Sequence, residues 1–217
     1  ASAASAAAGP KAAARQAARR LLRSLPAEAV AAQSRAACAR VLAHLAFARC
    51  TAVAVYLPMT DGVELDTWPL VEAMLGGGPV AKRVFVPKIE AAGHMRLLRA
   101  HSLAELRALP TNCWGCPEHT DAMAARMEDA TLAAEIDLVL VPALMFAPGI
   151  LTRLGRGKGF YDRFLARLDA ERAARGLAPA FKLGIGFNEQ MAVSVPVEAH
   201  DIRMDAIVSA SGVWPEP

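Results

Sequence analysis

Short apolar runs along this chain alternate with longer stretches in which apolar residues recur every three or four positions. The first pattern belongs to strands buried on both faces, the second to amphipathic helices. A helix is predicted from Lys11 to Ser24, with basic residues three and four apart and Ser24 and Pro26 ending it. A second is predicted over Ala27–Ala46, with Val30, Ala37, Val41 and Leu45 on one face. Thr51–Leu57 reads as a buried strand. Thr67–Leu75 reads as a helix stopped by Gly76, Gly77 and Gly78. Arg83–Val86 is a second strand, and His94–Ala100 an edge strand or hairpin arm. Leu103–Leu109 is a short helix capped by Ser102, and Asn112–His119 an irregular loop. Ile136–Pro142 is the most strand-like segment. A glycine-rich loop and an amphipathic stretch, Asp162–Arg175, follow it. Lys182–Phe187 and Ala206–Ser209 complete the strands. This alternation predicts an α/β fold of three layers, αβα, with a mostly parallel central sheet and helices on both faces. Residues 11–217 are expected to form a single domain, behind a flexible, low-complexity segment at 1–10. In such a sheet, ligands bind at the carboxyl ends of the strands.

Composition narrows the class. The chain has 217 residues, rich in Ala and aliphatics, with a formal net charge of +3. That mild excess suits anionic small molecules; a nucleic-acid surface would be denser and more clustered. No apolar stretch reaches membrane-spanning length. The expectation is a cytoplasmic monomer with small-molecule substrates and neither nucleic acid nor membrane as partner. No acid precedes Glu28, so organelle targeting by the basic N-terminus stays open. Cys38, Cys50, Cys113 and Cys116 are expected as free thiols. Cys113-Trp114-Gly115-Cys116 is a lone C-x-x-C, a weak signal for redox work.

The chemistry concentrates in Arg153-Leu154-Gly155-Arg156-Gly157-Lys158-Gly159-Phe160-Tyr161-Asp162-Arg163. Its glycines let backbone N–H groups approach an anion closely. Arg156 and Lys158 supply fork-like and point-charge contacts to phosphate. Asp162 offers the hard oxygen Mg²⁺ prefers. The run is not a P-loop, because no Ser or Thr follows Lys158. Lys11 and Arg15, four apart on one helix face, are positioned to close over phosphates from another side. Asp201, beside His200 and with Asp205 four residues on, is a candidate second metal acid. Glu64 can accept N–H donors of a heterocycle, and Trp114 can stack on a flat ring. Each also has an ordinary role: solvated cation, turn or cap acid, packed aromatic.

The glycine run closely resembles the signature of the 5-formyltetrahydrofolate cyclo-ligase family. The resemblance runs from Lys11 to about Val208. It includes Lys11 and Arg15, then Glu64 with Asp66 and Thr67, Phe85-Val86-Pro87-Lys88, Trp114-Gly115-Cys116-Pro117, Val141-Pro142 and His200-Asp201, in the family's order. It implies an enzyme that phosphorylates the formyl oxygen of 5-formyltetrahydrofolate with ATP and Mg²⁺ and closes the ring to 5,10-methenyltetrahydrofolate. It assigns ATP to Lys11, Arg15 and the stretch Arg153, Leu154, Gly155, Arg156, Gly157, Lys158, Gly159, Phe160 and Tyr161. It assigns Mg²⁺ to Asp162 and Asp201, and catalysis to Arg156, Lys158 and Tyr161. It assigns folate to Leu57, Glu64 and Trp114, together with Arg156 to Phe160. Three places depart from the pattern. Phe160 replaces a tyrosine, Phe146-Ala147-Pro148 replaces Phe-Asp, and Glu118-His119 replaces Glu-Pro or Gln-Pro. The loop before Glu64 is also extended. A divergent nucleotide-binding relative acting on another heterocycle, or not catalytic, is one alternative; a thiol redox protein using Cys113 and Cys116 is another.

Overall fold

The computed structural model describes residues 9–60, 64–90, 93–131 and 134–216. Residues 1–8 of the expected flexible segment and residues 61–63 of the extended loop lie outside them. The chain opens with α1 (Pro10–Arg23), one residue earlier than expected. Proline suits the first helical position, where its missing N–H would have had no partner. Only Ala18 and Leu22 of α1 are buried. The long second helix divides: α2 (Ala27–Ala43) stops at His44, whose extended backbone starts α3 (Leu45–Arg49). The Ala46 N–H donates to His44 Nδ1 at 3.1 Å, a cap from an unusual residue type.

A seven-stranded sheet follows. Its strands are β1 (Ala52–Ala54), β2 (Arg83–Ile89), β3 (Met95–Ala100), β4 (Leu138–Val141), β7 (Phe181–Ile185), β8 (Ala206–Val208) and β9 (Val213–Trp214). Between them lie α4 (Trp68–Leu75), α5 (Leu103–Arg107), α6 (Asp121–Ala124), a hairpin of β5 (Met145–Ala147) and β6 (Thr152–Leu154), and α7 (Phe160–Ala174). The spatial order is β3-β2-β1-β4-β7-β8-β9. The five inner strands are parallel; β3 and β9 are antiparallel edges. Pairing with β3 carries β2 three residues past the expected Val86, to Ile89.

Alternate residues of β1 show how the layers form. Val53 packs with α2, α4 and α5 residues such as Val41, Leu70 and Leu106. Ala52 and Ala54 face the opposite cluster, with Phe164, Leu165 and Leu168 of α7. The result is the expected three-layer arrangement, with one face covered by several helices and the other mainly by α7. The strand order reverses between β1 and β4, where their connections leave in opposite directions and open a crevice at the carboxyl ends.

One expectation is corrected. The glycine loop does not follow a strand of the central sheet; the β5–β6 hairpin intervenes, and Arg153 and Leu154 belong to β6. The hairpin is pinned by Phe146, which is fully buried. Its ring lies so close to Gly184 on β7 that an added Cβ there would come within 2.6 Å of it. The last helix also begins earlier than expected, at Phe160 rather than Asp162.

Because Phe146 anchors the hairpin that carries the glycine loop, Phe146→Ala should lower unfolding free energy by about 3–5 kcal/mol in urea melts. A loss below about 1 kcal/mol would show that the hairpin is not held this way.

Candidate active site

Every residue that the sequence singled out for nucleotide, heterocycle or metal lines a single cavity of about 520 Å³. That size falls within the range of small-molecule sites. Its floor is Tyr56 and Leu57, continuing from β1, and Pro142 and Ala143, following β4. These flank the point where strand order reverses. Lys11, Arg15 and Arg19 of α1 form one side, the Trp114 loop another, and the glycine run lies between.

The glycine run bends because Gly157 and Gly159 hold φ values of +103° and +65°, which side chains resist. Gly159 is the N-cap of α7, and no side chain caps that end. Phe160, Tyr161 and Asp162 of its first turn line the cavity, so the positive end of a 15-residue helix borders it. A Cβ at Gly157 would meet the Arg15 guanidinium at 3.2 Å, so the cation lies flat against the loop.

Among the described residues, three cations of the cavity lie against carboxylates. Arg153 Nη2 donates to Asp162 Oδ1 at 2.7 Å, with both side chains largely buried. Lys11 Nζ reaches Asp201 Oδ2 at 2.6 Å and Glu198 Oε2 at 3.1 Å. Arg156 Nε and Nη2 lie 3.2 and 3.1 Å from Glu64 Oε1. The Ile202 N–H donates to Asp162 Oδ1 at 3.1 Å, which sets Asp162 beside the segment carrying Asp201. Burial alone would lower the Lys11 pKa and raise that of Asp201. Their mutual hydrogen bond, with help from Glu198, moves both the other way, so the pair stays ionised.

Tyr161 stacks edge-on against Phe164 and lies under the Arg153 guanidinium. Burial, reinforced by the negative Glu64 and opposed by Arg153, pushes its phenol far above the ordinary range. It is a neutral hydroxyl at any working pH. Trp114 and Phe160 meet as tilted rings, centroids 6.3 Å apart, and make an aromatic wall. Lys158 stands exposed at the rim.

Arg153 Nε is buried with no partner among the described residues, and its guanidinium lies against Gly155, where an added Cβ would be 3.0 Å from Nη1. Its Nη2 is held by Asp162, so the guanidinium fits an anion only in exchange for that carboxylate. Glu198, His200 and Asp201 offer ligand atoms within 4.8 Å of one another. Asp162 is not part of that set; its Oδ1 is held by Arg153 and the Ile202 N–H, and it adjoins the set through Ile202.

Sequence reading gave no site role to Arg19, Arg163, Glu198 and Glu118, which are on the lining. Arg19 was legible as the next step of the four-residue spacing from Lys11 and Arg15. Glu118 carried no local signal, since its partners, Lys88 at 3.2 Å and the Ile89 N–H at 3.0 Å, come from β2. The departures also sort themselves. Phe146-Ala147-Pro148 lies in the hairpin and lines no part of the cavity. His119 is buried, with Nε2 3.4 Å from Glu105 on α5. Among the described residues of these departures, Phe160 and Glu118 line the cavity. The C-x-x-C lies in a turn closed by Asn112, whose Oδ1 accepts from the Trp114 and Cys116 N–H groups. All four cysteines are free thiols. Burial pushes Cys38 up to about 12 and Cys50 up to about 11.

Comparison with known proteins gives a consistent answer. The model of the 5-formyltetrahydrofolate cyclo-ligase family matches residues 7–210. The mouse 5-formyltetrahydrofolate cyclo-ligase is 28% identical over 188 residues, 86% of this chain and 87% of its own length. The Escherichia coli K12 protein of the same name is 32% identical over 164 residues, 75% of this chain and 79% of its own. The NMR structure of Aquifex aeolicus 5,10-methenyltetrahydrofolate synthetase superposes with a TM-score of 0.70 at 25% identity, covering 94% of this chain and 91% of that one. With a matching sequence over nearly its whole length, a matching fold and the glycine run set in its cavity, the chain belongs to the 5-formyltetrahydrofolate cyclo-ligase family of enzymes.

Proposed function

We propose that this enzyme converts 5-formyltetrahydrofolate to 5,10-methenyltetrahydrofolate, consuming ATP with Mg²⁺ and releasing ADP and phosphate. The observation that carries the reading is the convergence of cation-rich loop, hard acids and aromatic wall on one cavity. A formamide oxygen is a poor leaving group. Its attack on the terminal phosphorus of ATP, with cleavage of the bond to ADP, turns it into a good one. N10 then attacks the formyl carbon of the iminophosphate and gives up its proton, the carbon–oxygen bond breaks, and phosphate departs with that oxygen, leaving the proton to phosphate or solvent.

Such a transfer needs alignment and charge neutralisation more than covalent help. The glycine run, its Arg153 and Tyr161 ends included, holds the phosphates through backbone N–H groups and the α7 dipole. Lys11 and Arg15 approach from α1. Arg156 and Lys158 oppose charge developing on the transferring group. Tyr161, kept neutral, serves as a hydrogen-bond donor. Glu64 takes N–H donors of the folate ring, Leu57 forms its floor, and Trp114 and Phe160 enclose it and exclude water. Asp162 and Asp201 would hold Mg²⁺, which supplies charge neutralisation on the phosphate oxygens.

Purified protein with ATP, Mg²⁺ and 5-formyltetrahydrofolate should generate the near-ultraviolet absorbance of the methenyl product. No product under these conditions would sink the proposal. Asp162→Asn should cut turnover by about a hundredfold or more while leaving the melting profile cooperative, because metal contributions amount to several kcal/mol. Full activity would refute its metal role.

The redox alternative makes a separate demand on Cys113 and Cys116. A Cys113→Ser, Cys116→Ser double variant should keep turnover within about threefold of the parent, since neither thiol enters the chemistry. Loss of activity restored by thiol chemistry alone would favour the alternative.

A further inference from the structure

The cations of the cavity are not equivalent. Lys11, Arg153 and Arg156 each face a carboxylate at salt-bridge distance. An anion must compete with that carboxylate for them. Arg15 and Arg19 face carbonyls instead. Arg15 Nε donates to Gly155 O at 3.0 Å, and Arg19 Nη2 donates to Arg156 O at 3.2 Å. A carbonyl bond occupies one of five guanidinium N–H donors and leaves the formal charge without a carboxylate partner among the described residues. Both side chains are half-buried on the cavity wall.

We propose that Arg19 is a phosphate-binding residue for the nucleotide, a third α1 cation beyond Lys11 and Arg15. The inference rests on the ATP reading above and extends it. Lys11, Arg15 and Arg19 recur every four residues, so one helix face carries all three. Their contacts step along the site, from Asp201 to Gly155 to Arg156. The Arg156 carbonyl bond fixes the Arg19 guanidinium against the glycine loop before any ligand arrives. Ordering that side chain on binding therefore costs little, and its remaining donors suit a phosphate oxygen.

The test compares ATP binding by calorimetry, with MgCl₂ present, for the parent protein and for Arg19→Ala, Arg19→Gln and Arg19→Lys. It is paired with KM values for ATP and for folate. Gln retains an N–H donor for the Arg156 carbonyl but has no charge. If Arg19 binds phosphate, Ala and Gln should both weaken ATP binding by about tenfold or more, and Lys should recover part of it. KM for folate should stay within about twofold, because the loss is confined to one substrate. Full recovery with Gln would make Arg19 a brace for the loop and overturn the proposal. So would parent-like ATP affinity in Arg19→Ala. If the parent itself binds no ATP, the underlying reading falls as well. If Arg19→Ala does not fold, the difference between Gln and Lys separates charge from bracing without it.

Discussion

Cations gathered around a cavity repel one another, and this site is held together by the carboxylates set against them. Asp162 holds Arg153, Asp201 and Glu198 hold Lys11, and Glu64 holds Arg156. These contacts join α1, the segment after β1, β6, the glycine loop, α7 and the segment before β8. Without them, the cations would extend toward water, and α1, with only two buried residues, would depend on the Arg15 and Arg19 bonds to the glycine loop to stay on the site. On the proposed reading the same pairs are the site's resting state. The acids that would hold metal are neutralised by the cations that would hold phosphate. Nucleotide and metal arriving together satisfy both halves at once, whereas either alone breaks an ion pair and leaves a charge half-buried.

The sheet makes this pairing possible. Reversal of strand order between β1 and β4 opens the crevice, and the residues beyond both strands supply its floor. The glycine loop reaches that crevice through the β5–β6 hairpin, clamped to β7 by Phe146 over Gly184. Gln190 adds a second tie. It accepts from the Phe187 N–H at 2.7 Å and donates to the Ala143 carbonyl at 2.6 Å, linking the segments after β7 and β4. Precision at the glycine loop thus comes from packing remote from the cavity.

Local pattern revealed the elements whose signals are local. Apolar runs marked β1, β4 and β7, and the spacing of basic residues marked α1. The α2–α3 break was hidden because histidine is not among the usual caps. The hairpin was hidden because its arms are three residues long and its turn places Leu151, a non-glycine residue, at φ +55°. At the site, the glycine run was legible as a continuous motif. The pairing of Arg156 with Glu64 was not, since 92 residues separate them and only the fold brings them together. Lys11 with Asp201 is a longer case, 190 residues apart. Composition shows that such charges exist; topology decides which of them meet.

On the proposed reading, the acids and cations of this site trade partners when nucleotide and metal bind. That exchange is tested most directly by Mn²⁺ binding, followed by electron paramagnetic resonance with and without ATP, after correction for Mn²⁺ held by ATP in solution. If the partners are exchanged, ATP should tighten the protein's hold on the metal by at least about tenfold, and metal should tighten ATP by the same factor, as linkage requires. Equal metal affinity with and without nucleotide would contradict it.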